Sequence, residues 1–230
     1  MLKMVFAALA LIAGIATTAH AQAPAPGLPP PNYIFKAAEP CVEDAVRAAK
    51  PAKPGDAVYK VCEDQMAVLT KALADAKASG TVLLVTFGAT WCPYCAALQR
   101  MMPTAELLGR TGDKIDYAKT YHHIEIGLST LHKGKKAEIP SGEAVLALVL
   151  QRSPGVKVRA IPFMAVIDPA SPAKVYARNV DDLSDASGQF NPAGMRAVLA
   201  EAHDYVRMGG PAASEPGWIR RKMRQWFSIG

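Results

Sequence analysis

Apolar residues recur along the chain in several rhythms, and each rhythm predicts a different element. Val82-Leu-Leu-Val-Thr-Phe87 is continuously apolar and rich in β-formers, which suits a strand covered on both faces of a sheet. Before it, Val58, Val61, Met66, Leu69, Ala72, Leu73 and Ala76 recur at spacings of three and four, the period of a helix over 58–78 that Gly80 stops. A shorter helical stretch over 39–50 ends at Pro51, and Pro51-Ala-Lys-Pro-Gly55 reads as a turn. After the strand, a helix is expected to begin near Cys92, with Pro93 in its first turn and a break at Pro103. A second strand is expected over 115–126. The run 143–151 is a helix candidate whose unbroken apolar character also suits a strand. Strands over 161–167 and 174–180 flank Asp168-Pro-Ala-Ser-Pro172. A last helix opens with Asn191 as N-cap and Pro192 at its first position, and runs to about Arg207. The order is a helix followed by βαβαββα. Alternation of strands and helices implies parallel pairing, and the short link between the last two strands implies an antiparallel pair.

The N-terminus has a pattern of its own. Lys3, an apolar run from Val5 to Ile15 and the Ala19-His20-Ala21 triplet are the three parts of a secretory signal peptide over 1–21. The apolar run is short of the roughly 20 residues that cross a bilayer, so cleavage and export, to a periplasm, are expected. Residues 22–38 form a Pro-rich linker, 39–62 an N-terminal helical extension, 63–208 the main domain and 209–230 a tail.

Charge changes the picture only at the ends. The chain holds 26 Lys+Arg and 20 Asp+Glu. Without Lys3 and the tail's Arg220, Arg221, Lys222 and Arg224, the balance is 21 to 20. A near-neutral body argues against nucleic-acid binding, which needs a basic face. In the tail, Trp218, Ile219, Met223, Trp226 and Phe227 share one side of a helix, with arginines mostly opposite. It reads either as a cap packed on the domain or as a contact with an anionic membrane surface or a partner.

The chemistry concentrates at Trp91-Cys92-Pro93-Tyr94-Cys95, between the apolar strand and the following helix. A cysteine at a helix N-terminus sits among free amide hydrogens, which favour the thiolate and lower its pKa below the free value of about 8.5. Cys95 lies one helical turn on, close enough to close a disulfide with Cys92. Such a pair can attack a substrate disulfide and resolve the mixed intermediate, or run the same steps in reverse.

Here the chain resembles the thioredoxin superfamily. The resemblance rests on Val82–Phe87 leading into Gly88-Ala-Thr-Trp-Cys-Pro-Tyr-Cys95, and on Ile161-Pro162 at the head of a later strand; it covers roughly 63–207. It implies an α/β, thioredoxin-like fold with a βαβαββα core, here with an N-terminal helical extension and a C-terminal amphipathic helix. It further implies thiol–disulfide exchange, with Cys92 attacking, Cys95 resolving, and a cis Pro162 facing the pair. Trp91, Pro93, Tyr94, Ile161 and Pro162 would contact substrate. The whole looks like the secreted thioredoxin-like proteins of bacteria. Partners are then protein thiols or disulfides and a soluble or membrane-linked redox partner, with no cofactor, metal or nucleic acid. Two departures stand out. Many thioredoxins carry a buried acid six residues before the first cysteine, and Thr86 stands there, so that relay is absent or supplied from elsewhere. The stretch from Cys92 to Pro162 is also longer than in minimal members, with the extra length between about Ile126 and Arg159, where it would shape the substrate surface.

Other readings stay open at this point. A C-x-x-C can be half of a zinc site, but no second one exists, and the adjacent His122 and His123 in a strand point to opposite faces. The Cys92–Cys95 pair can also be structural and inert. Cys41 and Cys62 pair most simply as a structural disulfide in an exported protein, a second redox pair being the alternative. The leading expectation is a reductase of protein disulfides. A dithiol oxidase or isomerase, and a redox-inert thioredoxin-fold binding module, are the alternatives.

Overall fold

A computed structural model of the chain describes residues 33–35, 59–102 and 116–208. The expected signal peptide, most of the expected linker and N-terminal extension, Cys41 and the basic tail lie outside the described residues.

The central strand is β1 (Val82–Ala89), buried at every position. Its two faces explain the unbroken apolar run. Leu83, Val85 and Phe87 point into a core shared with α1 (Gln65–Ser79) and α4 (Pro140–Gln151), where Met66, Leu69, Ala76, Val145 and Val149 pack. Val82 and Leu84 point the other way, against α2 (Pro93–Met101) and α5 (Pro192–Met208), and meet Leu98, Met101, Met195, Val198 and Leu199. Helices therefore cover both faces of one sheet, the layering expected when a strand is apolar on both sides.

The sheet has five strands in the order β3-β2-β1-β4-β5. β2 (Tyr121–His132) runs parallel to β1. β3 (Lys135–Glu138) returns antiparallel to β2. β4 (Phe163–Ile167) and β5 (Val175–Asn179) form an antiparallel pair, and β4 also runs antiparallel to β1. This mixed α/β architecture is a thioredoxin-like fold.

Several expectations are corrected in detail. The first helix starts at Gln65, not near Val58, because the Asp64 carboxylate caps it by accepting from the Met66 amide at 2.9 Å. Gly80, in the left-handed region at φ 70°, ends it as expected. The second strand begins six residues later than expected. Asp116 instead caps the short helix α3 (Tyr117–Thr120), and the strand runs on to His132. A two-residue turn with Lys133 at φ 48° and Gly134 at φ 75° then opens β3, which was not expected at all. The ambiguous run around 143–151 is helical and starts at Pro140.

The parallel orientation expected for the strand at 161–167 is also wrong, for a visible reason. At the end of α4, the Ser153 hydroxyl donates to the Val175 carbonyl at the start of β5. The chain then climbs back beside β5. The Asn179 side chain accepts from the Arg159 amide at 2.8 Å and donates to the Lys157 carbonyl at 2.8 Å. That return segment brings the chain to the same end of the sheet at which β1 finishes, so β4 must run back against β1.

One buried bracket matters for the site. Gln65 donates to the Lys60 carbonyl at 2.7 Å and accepts from the Gly127 amide at 3.2 Å. It ties the segment before α1 to β2 and so holds Tyr59, which is 5% exposed, in the interior.

Candidate active site

The end of β1 delivers Trp91 and Cys92 to the start of α2 through a tight turn in which the Cys92 amide donates to the Ala89 carbonyl. Cys92 is the N-cap, with extended backbone, and Pro93 occupies the first turn. The Cys92 sulfur accepts from the Cys95 amide at 3.2 Å, the contact by which a helix N-terminus stabilises negative charge on sulfur. Cys92 and Cys95 are joined as a disulfide, with α-carbons 5.2 Å apart. Both are buried, whereas Pro93 is exposed and the Tyr94 ring is 42% exposed.

Residues 161 and 162 arrive from the other side. The Ile161–Pro162 peptide bond is cis, and the Cys92 sulfur lies 3.7 Å from the Ile161 carbonyl oxygen. Ile161 and Trp91 pack around the two cysteines, with Tyr59 behind them. The Trp91 indole is fixed from the sheet by donation to the Ser129 hydroxyl at 3.0 Å, and Lys136 Nζ sits 3.6 Å from its ring centroid. The structure thus assembles Trp91, Cys92, Cys95, Ile161 and Pro162 around one sulfur pair, with Pro93 and Tyr94 at its mouth. Cys62 is half-buried, away from this cluster in the chain, and its pairing with Cys41 falls outside the described residues.

Sequence reasoning missed the polar layer between α2 and the sheet. Thr86 pairs in register with Glu125 on β2, and its hydroxyl lies 2.9 Å from His123 Nε2. Burial pushes the Glu125 carboxyl up to about pH 7. Burial, and then the neighbouring His122, push the His123 imidazole down to about 4. Burial and then the Glu125 charge raise the Tyr59 phenol above its ordinary value, with the Gln99 side chain opposing. The Tyr59 hydroxyl and the Cys95 sulfur crowd the same point above Gly88: a β-carbon there would collide with the hydroxyl and lie 2.9 Å from the sulfur. Gly88 is therefore required by close approach rather than by a turn. Next to this layer, between α2, α3 and β2, lies a cavity of about 440 Å³ walled in part by Gln99, Tyr117, Tyr121, His123 and Glu125. The available signal was Glu125 itself, a carboxylate two residues from His123 and so on the same face of the strand, opposite the apolar Ile124, Ile126 and Leu128.

Taken together, the fold and the site define a thioredoxin-like α/β protein with a close cysteine pair at a helix N-terminus. No protein-family model and no curated protein matches the chain. Among solved structures it is similar to a disulphide isomerase from Xylella fastidiosa Temecula1, at 22% identity and a TM-score of 0.41, covering 63% of this chain and 95% of that one. At that distance the likeness carries neither activity nor site to this chain.

Proposed function

We propose that the protein is an exported thiol–disulfide oxidoreductase that reduces disulfides in other proteins. The observation that carries this reading is the Cys95 amide held on the Cys92 sulfur at the start of α2, which suits Cys92 to the thiolate form. The Cys92 thiolate attacks one sulfur of the substrate disulfide, giving a mixed disulfide and one substrate thiolate. Cys95 then loses its proton and attacks the Cys92 sulfur, releasing the second substrate thiolate. Two electrons pass to the substrate, and a dithiol donor restores the pair. The resolving step needs a base for a thiol that is 1% exposed. We assign that role to Glu125, a buried carboxyl whose charge acts on the Tyr59 phenol, which with the Cys95 sulfur crowds the space above Gly88. The exposed Tyr94 and the Ile161 backbone beside Cys92 form the surface a substrate chain would meet.

A Cys95→Ser variant tests this. It is expected to accumulate mixed disulfides with proteins of the exported fraction, linked through Cys92 and released by dithiothreitol. A redox-inert binding module would trap none, and that result would overturn the reading.

A further inference from the structure

β2 does not stop where β1 does. Its last partner on β1 is Ala89, opposite Ser129, yet it continues to His132 before the Lys133-Gly134 turn and the return along β3. The hairpin therefore projects past the sheet at the end where β1 delivers Trp91 and Cys92. It is bolted to the site at three points. Ser129 holds the Trp91 indole, the Thr130 and Thr90 hydroxyls meet at 2.9 Å, and Lys136 lies over the Trp91 ring.

The chemistry of the projection is one-sided. Lys133, Lys135 and Lys136 are all exposed, and none is in an ion pair with a carboxylate among the described residues. The hairpin's own acid, Glu138, lies at its base, opposite Ser129. Among the described residues β3 is an edge strand, with no sheet partner on its outer side. Lysines on an edge do discourage strand-to-strand aggregation, but that role needs no contact with Trp91. Three exposed cations without a carboxylate partner among the described residues, one of them over Trp91 beside the cysteine pair, on a body whose charges nearly balance, form a local positive field at the point of substrate approach.

We propose that the β2–β3 hairpin is a docking arm that selects protein disulfides flanked by acidic residues. The inference rests on the oxidoreductase reading and names its substrate class. An extended acidic segment lies along the outer side of β3, its carboxylates facing Lys133, Lys135 and Lys136, and its disulfide is presented to Cys92 beside Trp91.

Two disulfide peptides of equal length test the arm, one with Asp and Glu flanking its cysteines and one with Ser and Gly there. The reduced protein is expected to reduce the acidic peptide roughly tenfold faster at low ionic strength. The advantage should vanish in about 0.5 M salt. K133E/K135E should reverse it. Equal, salt-insensitive rates for the two peptides would overturn the arm while leaving the oxidoreductase reading intact. So would a variant that slows both peptides alike, or a hairpin that binds anionic vesicles without discriminating between the peptides. If neither peptide is reduced, the oxidoreductase reading fails instead. The arm is then judged by anisotropy of a labelled acidic peptide with Ser in place of Cys. Binding roughly tenfold tighter than the neutral peptide supports it, and equal binding overturns it.

Discussion

Cys92→Ser is expected to lower turnover of a model protein disulfide by more than about a thousandfold, to background. The size of the effect follows from position. Cys92 caps α2, and its sulfur receives the Cys95 amide at the start of the helix. A serine hydroxyl can accept the same amide hydrogen, so the helix should survive while the nucleophile is lost. Cys95→Ser makes the contrast, because it keeps attack and stalls at the mixed disulfide. In the reduced protein, alkylation of Cys92 should show a midpoint below the free-thiol value of about 8.5. A Cys92→Ser protein that still turns over, or a Cys92 that titrates as a free thiol, would contradict the assignment.

Glu125→Gln is expected to make the oxidised protein more stable at pH 8, by about 2 kcal/mol after allowance for solvent screening. The folded carboxyl holds its proton up to about pH 7, because burial disfavours the charge, whereas in the unfolded chain it ionises near its ordinary 4.5. Between those values the folded state binds more protons, so this group's contribution falls as pH rises from 4.5 to 7 and stays low above. The advantage of the glutamine variant should therefore grow over that window and disappear below pH 4. His123 works with the opposite sign. Its folded value near 4 lies below the ordinary 6.5, so the unfolded chain takes up a proton first, and stability is lost as pH falls from 6.5 to 4. In the native protein the two slopes oppose one another, and Glu125→Gln should unmask that of His123. Chemical denaturation from pH 4 to 8 measures both. Equal stability of the two proteins at pH 8 would show that the carboxyl is not buried. The same variant should slow resolution of the Cys92 mixed disulfide at pH 7 by roughly a hundredfold, the lower end of what a lost general base costs. Stability and rate thus move in opposite directions, which a purely structural role would not produce.

How much of this was legible beforehand follows from the range of the interactions involved. The cysteine site was readable because strand, turn, N-cap and first helical turn are all local: Val82 to Cys95 fixes them without reference to the rest of the chain. Asn191 and Pro192 opened the last helix for the same reason, and the Asn191 side chain accepts from the Ala193 amide at 3.0 Å. The hairpin was not readable. β3 is Lys-Lys-Ala-Glu, an exposed edge with no apolar alternation, held among the described residues by pairing with β2 and by Lys136 over Trp91. The direction of β4 depended on Asn179 pinning the return segment, a contact made across about twenty residues. The polar layer was hidden for a similar reason. Thr86 looked like a missing acid until the β1–β2 register set Glu125 beside it, and Tyr59 reaches Cys95 only because the Gln65 bracket folds its segment inward.

The central claim is that Cys92 and Cys95 exchange electrons as a pair, and equilibration against glutathione tests it most directly. The protein is incubated across a ladder of reduced and oxidised glutathione and quenched in acid. Its thiols are then alkylated and mapped by mass spectrometry. The account predicts a reversible two-electron transition confined to Cys92 and Cys95, with a potential in the span of catalytic pairs, roughly −270 to −120 mV. A pair that stays oxidised across the whole ladder, below about −300 mV in the manner of a structural bridge, would contradict it.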